Sequence, residues 1–572
     1  MTARVRLVDY LAAELGRMGV TYMFGVGGAN IEDLYEAVHG ATESVRGIVA
    51  KHEFSAATMA DGYARATTRL GVVAATSGGG AMNLVPGLAE AYASRVPVLA
   101  LVGEPPTVLA GRGAFQDSSG QAGSLDALEL FGSVTRFCAR VVEPDSIISL
   151  LARAVAVART DPKGPAVLLL PKDVQQAFVT VPGPRVAAHT PPAALPEAAA
   201  LDRAAAVLRG ADRVLLIAGE GVAAAGARAE LCEVARRLGA WVAVTPDAKD
   251  VYDNHDPRFV GVAGVMGHPS VEDCLRRAEA CVLVGTRLPA MARGGLDRAL
   301  ADTPLICVDP ESPFVPGIAL HGSVRDTLRA LTRRLEPAAR ACPAHMGPTR
   351  LPLPLPLPPA NSGSTSHADA FAAIAAALPQ DAHVFVDAGN TGAGAIHLLP
   401  APRHGRFVVA VGMGGMGYTF GAGIGAALAT GRRTYVLAGD GAFFMHGMEV
   451  HTAVEYAVPV TFVILNNNAH GMCVTREHLF QGGAREDNVF LSSDIAAGVG
   501  AMFPTLDVTR ARNAAQLRQE LLRSNTGDGP AFVAVDVDRR EIPPFLPFLT
   551  APGGKPNDTE ETADERGPVH VG

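Results

Sequence analysis

The stretch TYVLAGDGAFFMHGMEVHTAVEYAVPVTFVILNNNAHGM, residues 434–472, decides the fold. It divides into a strand, a tight turn, a helix and a second strand, and the apolar run 458–465 ends in three consecutive asparagines. Near-continuous apolar strands joined through a helix are typical of parallel sheets that helices cover on both faces. Because such sheets bind ligands at the carboxyl ends of their strands, the polar residues at both strand ends indicate a binding site.

The turn between the first strand and the helix has the composition of a metal-diphosphate site. Gly439 and Gly441 let the backbone approach a diphosphate closely, and the N-terminus of the following helix favours negative charge. Asp440 supplies a hard oxygen ligand, and an asparagine carboxamide on the neighbouring strand supplies another, a combination that suits Mg²⁺. The alternative is an ordinary strand-to-helix turn that binds nothing.

The same alternation of strands and helices runs through most of the chain. Strand-like runs such as VVAAT (72–76), VPVLALVG (96–103) and PAVLLL (165–170) alternate with Ala- and Leu-rich helical stretches. The 572 residues, of which 48% are hydrophobic, are too many for one core and suggest roughly three or four domains. The sequence therefore predicts an α/β protein built from doubly wound parallel-sheet domains.

Two proline-rich stretches predict the domain boundaries. Residues 179–200 are rich in Pro and Ala, and residues 348–366 contain alternating Leu and Pro, which favours polyproline II and cannot pair in a central strand. We expect three domains and a polar, acidic, disordered tail, with the bounds 1–178, 195–340, 367–550 and 551–572.

Composition also excludes several classes of function. The net charge of −8 and the lack of a Lys/Arg-rich run argue against nucleic acid as a partner. The seven cysteines are far apart and form no CxxC pair, which suits a reducing compartment. No apolar run reaches the roughly 18 residues that a membrane span needs, and the N-terminus is amphipathic rather than a signal peptide. We therefore expect a cytoplasmic protein that does not enter a membrane.

The spacing of the turn and the asparagines resembles the signature of thiamine-diphosphate enzymes, in which GDG is followed one helix and one strand later by two asparagines. Here 24 residues separate GDG from Asn466-Asn467. The resemblance implies that Asp440, Asn467 and the carbonyl of Ala469 hold Mg²⁺. It also implies that a further set of residues contacts the diphosphate, namely Gly439, Gly441, Ala442, Asn390 and Thr391.

A second part of the resemblance concerns the aminopyrimidine ring. The stretch VGMGGMGYTFGAGIGAA (411–427) is similar to the family segment that packs this ring. The resemblance implies that Gly414 offers a carbonyl to the exocyclic amine and that Met416 offers a backbone N–H to a ring nitrogen. Met472 would be a wedge that holds the two rings of the cofactor in a bent conformation.

The N-terminal domain offers the carboxyl group that this cofactor needs. The C2 proton of the thiazolium is weakly acidic, and the cofactor's own imino tautomer can remove it if a carboxyl hydrogen-bonds the far ring nitrogen. The stretch KHEFSAATMADGYAR (51–65) places Glu53 at the start of a helix, where it resembles the activating glutamate of the family. The alternative is a glutamate that only caps the helix or interacts with the helix dipole.

Three N-terminal stretches are similar to acetolactate synthases (acetohydroxyacid synthases), namely TSGGGAMNLVPGLAEAYASRVPVLALVGEPP (76–106), GRGAFQDSSGQAG (111–123) and GPAVLLLPKDVQ (164–175). The resemblance implies that Gly79, Phe115 and Gln116 line the substrate face and that Lys172 lies on the approach to it. The first two stretches contain no histidine of the kind that protonates the product in simple 2-oxoacid decarboxylases. Their absence favours transfer to a second carbonyl compound.

The resemblance to acetolactate synthases loosens at the residues that select the acceptor. Arg476 stands where those enzymes have a tryptophan. In GTRLPAMARGG (285–295), Met291 stands at the position of the second arginine of the family, and Arg293 is displaced from it by two residues. The acceptor can therefore differ from that of acetolactate synthase.

The middle domain resembles a flavin-binding domain in part. GVAGVMGHPS (261–270), GTR (285–287) and the end of a strand at CVDP (307–310) follow the FAD-binding pattern of the anabolic enzymes, but its acidic pair is missing. The domain therefore either binds FAD in a structural role or has lost the cofactor.

Together these features predict a thiamine-diphosphate-dependent carboligase that decarboxylates pyruvate or a similar 2-oxoacid and transfers the two-carbon unit to a carbonyl acceptor. Acetolactate synthase proper, a non-ligating 2-oxoacid decarboxylase and a non-catalytic relative are the alternatives. Because the family places each site between two chains, a homodimer or homotetramer is expected.

Overall fold

The computed structural model describes residues 3–41, 44–181, 194–335, 352–359, 365–482 and 487–551. Most of the two predicted linkers and residues 552–572 of the predicted tail lie outside the described residues. The described residues form three six-stranded parallel sheets and one antiparallel pair of strands. The predicted fold class, α/β with three doubly wound parallel sheets, is confirmed.

The N-terminal unit contains a sheet of strand order β3-β2-β4-β5-β7-β6, with β1 and β8 paired beside it. Its strands are β1 Ala3–Arg6, β2 Tyr22–Gly25, β3 Arg46–Val49, β4 Gly71–Ala75, β5 Val98–Glu104, β6 Phe137–Arg140, β7 Ala166–Pro171 and β8 Phe178–Val181. Its helices are α1 Leu7–Arg17, α2 Glu32–Gly40, α3 Glu53–Thr67, α4 Gly79–Ala93, α5 Ala127–Ser133, α6 Ile147–Arg159 and α7 Lys172–Gln176. Every residue of β4, β5 and β7 is buried, as their continuous apolar sequences require.

The central unit has the strand order β11-β10-β9-β12-β13-β14. Its strands are β9 Val214–Ala218, β10 Trp241–Val244, β11 Phe259–Val262, β12 Ala280–Val284, β13 Leu305–Val308 and β14 Ile318–Leu320. Its helices are α8 Ala198–Gly210, α9 Glu220–Ala224, α10 Arg228–Leu238, α11 Pro269–Arg277, α12 Ala290–Arg293, α13 Asp297–Ala301 and α14 Val324–Arg334. The direction of the strand order reverses between β9 and β12. In doubly wound sheets, ligands bind in the crevice at such a point.

The C-terminal unit has the strand order β16-β15-β17-β18-β20-β19. Its strands are β15 His383–Val386, β16 Phe407–Val409, β17 Thr434–Gly439, β18 Val460–Asn466, β19 Asp507–Ala511 and β20 Ala531–Asp536. Its helices are α15 His367–Ala377, α16 Asn390–Leu398, α17 Tyr418–Thr430, α18 Asp440–His446, α19 Val450–Glu455, α20 Gly471–Phe480, α21 Ile495–Met502, α22 Ala514–Ser524 and α23 Leu546–Leu549. Short 3₁₀ turns span Thr107–Leu109, Pro144–Ser146, Lys249–Val251 and Gly447–Glu449.

Helices α3 and α17 join the N-terminal and C-terminal units through direct backbone contact. A Cβ added at Gly62 of α3 would clash with the carbonyl oxygen of Ala422 in α17. A Cβ added at Gly425 of α17 would clash in turn with the carbonyl oxygen of Met59 in α3. Because no side chain separates the two backbones, the start of α3 lies beside the segment that leads into α17.

None of the helices among the described residues combines the length and the apolar character that crossing a membrane requires.

We expect Gly62→Ala to lower the free energy of unfolding by about 2 kcal/mol or more, because the added methyl group forces α3 and α17 apart. Urea denaturation would measure the change. The matched control is Gly132→Ala in helix α5, where nothing lies within 4 Å of the added Cβ and alanine is the better helix former. Equal stabilities of the two variants would contradict the packing described for α3 and α17.

Candidate active site

The three predicted metal ligands converge at the carboxyl ends of two neighbouring strands. Strand β17 ends at Gly439, opposite Leu465 of β18. The buried carboxylate of Asp440 accepts hydrogen bonds from the backbone N–H of Asn467 (3.4 Å) and of Ala469 (3.0 Å). The side-chain oxygen of Asn467 also accepts from the N–H of Ala469 at 3.0 Å.

The electrostatics of this cluster fit a cation. Burial raises the pKa of Asp440 to about 6, against the opposing effect of backbone hydrogen bonds from Asn467 and Ala469. A divalent cation would compensate this buried charge, and the carboxylate, carboxamide and carbonyl oxygens are ligands that Mg²⁺ prefers. Among the described residues, no group of three His, Cys, Asp or Glu side chains forms a metal site elsewhere.

An unpaired carboxamide faces the same space from helix α16. The side chain of Asn390 is 6% exposed, and neither its oxygen nor its nitrogen has a hydrogen-bond partner among the described residues. A Cβ added at Gly471 would lie 2.8 Å from Nδ2 of Asn390 and 2.6 Å from Nδ2 of Asn467, so both carboxamides meet at this glycine. Thr391 is close as well, because its Oγ1 lies 3.6 Å from an added Cβ at Gly439. A buried amide without a partner is costly, and a diphosphate would satisfy it.

Two buried carboxylates fix the segment between β16 and α17. Asp387 accepts from the N–H of Gly417 at 2.9 Å and from that of Thr419 at 3.2 Å, and burial raises its pKa to about 6. From the N-terminal unit, Glu90 accepts from the N–H of Met413 at 2.6 Å and from that of Gly412 at 3.3 Å. The segment that the resemblance assigns to the aminopyrimidine is therefore held from two domains.

The two residues predicted to bond the ring lie within this segment, between its two anchored ends. Gly414 has φ +66°, is exposed and has open space around the position of a Cβ. The methyl group of Met416 lies 3.2 Å from the Cβ position of Gly441, beside the predicted diphosphate turn. Met472 is half-buried and packs against the core.

Glu53 occupies the first turn of α3 and is 9% exposed. Its Oε2 accepts from Nδ2 of Asn83 at 2.9 Å, and its Oε1 lies 3.0 Å from the Cβ position of Gly80. The ring of His52, not Glu53, caps the helix by accepting from the N–H of Phe54. The alternative interpretation of Glu53 as a helix cap therefore has no support in the hydrogen bonds of this turn.

The residues predicted to form the substrate face lie at the start of α4 and in the loop after β5. Gly79 opens α4 with nothing within 4 Å of its Cβ position. Phe115 is 78% exposed, and the side chain of Gln116 lies against Gly78, whose Cβ position is 2.8 Å from Cβ of Gln116.

Of the three predicted substrate-selecting residues, two form ion pairs and one is exposed. Lys172 donates to Oε1 of Glu32 and to the carbonyl of Ala29, both at 2.7 Å, so its charge is already paired. The guanidinium of Arg293 forms an ion pair at 2.7 Å with Asp297, four residues along the chain. Arg476 is exposed on α20.

The carboxyl edge of the central sheet is occupied by a backbone hydrogen bond within the unit and by ion pairs with the other two units. At the switch between β9 and β12, the N–H of Gly221 donates to the carbonyl of Gly285 at 2.9 Å. Glu220 pairs with Arg406 of the C-terminal unit at 2.7 Å. Arg95 of the N-terminal unit pairs with two acidic groups after β13, Asp309 at 2.9 Å and Glu311 at 2.6 Å.

Sequence reasoning missed the residues that hold these groups in place, among them Asn83, Glu90 and Asp387. Asp387 could have been found, because it directly follows the buried strand β15, and ligands bind at the carboxyl ends of such strands. Glu90 is an acidic residue within the apolar helix α4, which is a weaker signal. For Asn83 the sequence gives no signal, because its role depends on the packing of α4 against α3.

Comparison with known proteins gives matches along most of the chain. Three family models match, described as the N-terminal TPP binding domain, the central domain and the C-terminal TPP binding domain of thiamine pyrophosphate enzymes, over residues 5–124, 201–331 and 387–535. A probable acetolactate synthase large subunit of Methanocaldococcus jannaschii is 26% identical, with 94% of this chain and 92% of that protein covered.

Two further relatives extend the comparison. The large subunit of acetolactate synthase isozyme 1 of Escherichia coli is 28% identical, over 94% of this chain and 95% of that protein. A probable 2-ketoarginine decarboxylase of Pseudomonas aeruginosa is 31% identical, over 82% of this chain and 83% of that protein.

Proposed function

The chain belongs to the thiamine pyrophosphate (thiamine diphosphate) enzymes, in their acetolactate-synthase-like branch, and from this premise we propose that it is a carboligase. It would decarboxylate pyruvate or a similar 2-oxoacid and transfer the two-carbon unit to a carbonyl acceptor. The observation that carries the proposal is the substrate face, where Gln116 offers a neutral carboxamide and the stretches 76–80 and 111–123 contain no histidine. No histidine of these two stretches can protonate the intermediate, and this favours carbon–carbon bond formation over release of an aldehyde.

We propose that Mg²⁺ and the cofactor's diphosphate bind where the C-terminal unit gathers its oxygen ligands. Asp440, Asn467 and the carbonyl of Ala469 would hold the metal, and the unpaired amide of Asn390 would bond the diphosphate. When bound, the cofactor supplies the electron sink for decarboxylation.

The proposed role of Glu53 is to hold a proton at one defined oxygen. Because Asn83 donates to Oε2, the proton of the carboxyl group would lie on Oε1, the oxygen that faces Gly80. From there it can be donated to a ring nitrogen of the cofactor. The segment that carries Gly414 and Met416 would orient the same ring, because Glu90 and Asp387 fix it at both ends.

We propose that the active form is a homodimer or homotetramer with sites between chains. Large apolar side chains are exposed around the predicted site, including Phe115 (78%) and Met413 (62%). Burial against a second copy would remove this apolar surface from water.

The residues at the edge of the central sheet do not fit FAD, and we propose a flavin-free protein. A dinucleotide diphosphate would need free N–H groups at the switch point, but Gly221 already donates to Gly285. Glu220 places a carboxylate there, and Arg95 closes the end of β13 by pairing with Asp309. We therefore infer that the carboxyl edge of the central sheet contacts the neighbouring domains instead of a flavin, although the sequence has part of the flavin-binding pattern.

A 2-oxoacid decarboxylase that does not ligate is the second candidate, because a probable decarboxylase is 31% identical to the chain. Acetolactate synthase proper is the third. The positions of Arg476 and Arg293 leave the acceptor open, since the first is exposed and the second is paired with Asp297.

The product identifies the reaction. Incubation with pyruvate, Mg²⁺ and thiamine diphosphate, with and without acetaldehyde or acetone, should give a product that depends on the added acceptor. Acetolactate from pyruvate alone would indicate acetolactate synthase, and free aldehyde would indicate a decarboxylase. Unchanged pyruvate would point to another 2-oxoacid, for which a panel of 2-oxoacids is the next test.

Glu53→Gln should slow deuterium exchange at C2 of bound thiamine diphosphate by about two orders of magnitude or more, because the amide cannot donate the carboxyl proton. The affinity for thiamine diphosphate, measured by isothermal titration calorimetry, should change little. Glu129→Gln, in the first turn of α5 but exposed, is the matched control. Normal exchange in Glu53→Gln would remove Glu53 from this role.

Heat-denatured protein should release no flavin, as measured by its visible absorbance and fluorescence, and added FAD should leave the melting temperature unchanged. Release of one flavin per chain would contradict the closed edge described for the central sheet.

A further inference from the structure

A row of hydrogen bonds connects the loop after β2 with Gln116. Nδ2 of Asn30 donates to Oγ of Ser77 at 2.7 Å, and Oγ of Ser77 donates to Oε1 of Gln116 at 3.1 Å. Asn30 is 7% exposed and Ser77 is fully buried. These two residues have no place in the function proposed above.

The direction of this row follows from the chemistry of the hydroxyl group. A serine hydroxyl has one proton, and Ser77 gives it to the oxygen of Gln116 while its lone pair accepts from the amide of Asn30. The carboxamide of Gln116 is thereby fixed with its oxygen towards the protein. Its NH₂ group therefore faces away from Ser77.

Both ends of the row are anchored. The N–H of Asn30 donates to Oγ1 of Thr76 at 3.2 Å, and its carbonyl accepts from Nε2 of Gln175 at 2.7 Å. Gln116 itself has φ +63°, a conformation that costs a non-glycine residue free energy and persists only where the surroundings enforce it. The loop after β2 is therefore rigidly connected to the backbone that presents Gln116.

We propose that Asn30 and Ser77 are positioning residues that make Gln116 a hydrogen-bond donor to the carboxylate of the 2-oxoacid substrate. This inference rests on the proposed function. An NH₂ group held in this orientation stabilises a carboxylate oxygen, whereas the reversed carboxamide would present its own oxygen and repel it. The row of hydrogen bonds would thus select a substrate that has a carboxylate group to accept a hydrogen bond from Gln116.

Asn30→Asp tests the direction of the row with almost no change of shape. An aspartate accepts from Ser77, so the lone pair of Ser77 becomes free to accept from the NH₂ group of Gln116, and the carboxamide turns over. We expect KM for the 2-oxoacid that the wild type consumes fastest to rise about ten- to hundredfold, with a smaller change in kcat. Ser77→Ala breaks the row without reversing it and should raise KM less.

A double-mutant cycle separates the effect of the turned carboxamide from simple charge repulsion between the substrate and the carboxylate that Asn30→Asp introduces. In the Gln116→Met background there is no carboxamide to turn, so Asn30→Asp should add little to KM. An equal rise of KM in both backgrounds, or no rise in either, would overturn the proposal.

Deuterium exchange at C2 of thiamine diphosphate needs no substrate and should be normal in Asn30→Asp and Ser77→Ala. Normal exchange together with an unchanged KM would reject only the positioning role of Asn30 and Ser77. Lack of exchange in the wild type would instead reject the proposed function.

Discussion

The contact between helices α3 and α17 is the constraint on which the rest of the structure depends. Glycines at the contact bring the two backbones together, with Gly62 against Ala422 and Gly425 against Met59. One helix carries Glu53 at its start, and the other follows the segment that contains Gly414 and Met416. Because these helices leave no room for side chains between them, the start of α3 and the segment that leads into α17 keep fixed relative positions within one chain.

Buried charged side chains connect these two helices to the central unit as well. Arg406 of the C-terminal unit pairs with Asp250 and Glu220 of the central unit, and it donates to the carbonyl of Arg65 in α3. The side chain of Arg65 pairs in turn with Asp61, which also accepts from the hydroxyl of Tyr418. Removing one member of such a network leaves an unpaired buried charge, which is far more costly than losing a surface ion pair. The network therefore fixes the relative positions of the domains more than it adds to stability.

The sequence predicted the fold class and the approach of Asn467 and Ala469 to Asp440, because both depend on local patterns. Apolar runs of strand length gave the parallel sheets, and the turn at Asp440 and the asparagine at 467 each follow such a run directly. It could not predict that Glu90 would hold Met413, because the two are 323 residues apart and meet only through the helix contact. Nor could the sequence show that Arg95 and Arg406 reach the edge of the central sheet from other domains. The pairing of Arg293 with Asp297 and the exposure of Arg476 depend on how α12 and α20 pack, which a single sequence does not determine.

The tight contact between α3 and α17 also constrains how small molecules reach the site. Backbones that touch cannot slide or separate during each turnover without breaking the buried network around Arg65 and Arg406. Substrates and products must therefore reach the site by a route that leaves α3 and α17 in contact. The rate of their entry and exit would then not depend on separation of the two units that these helices join.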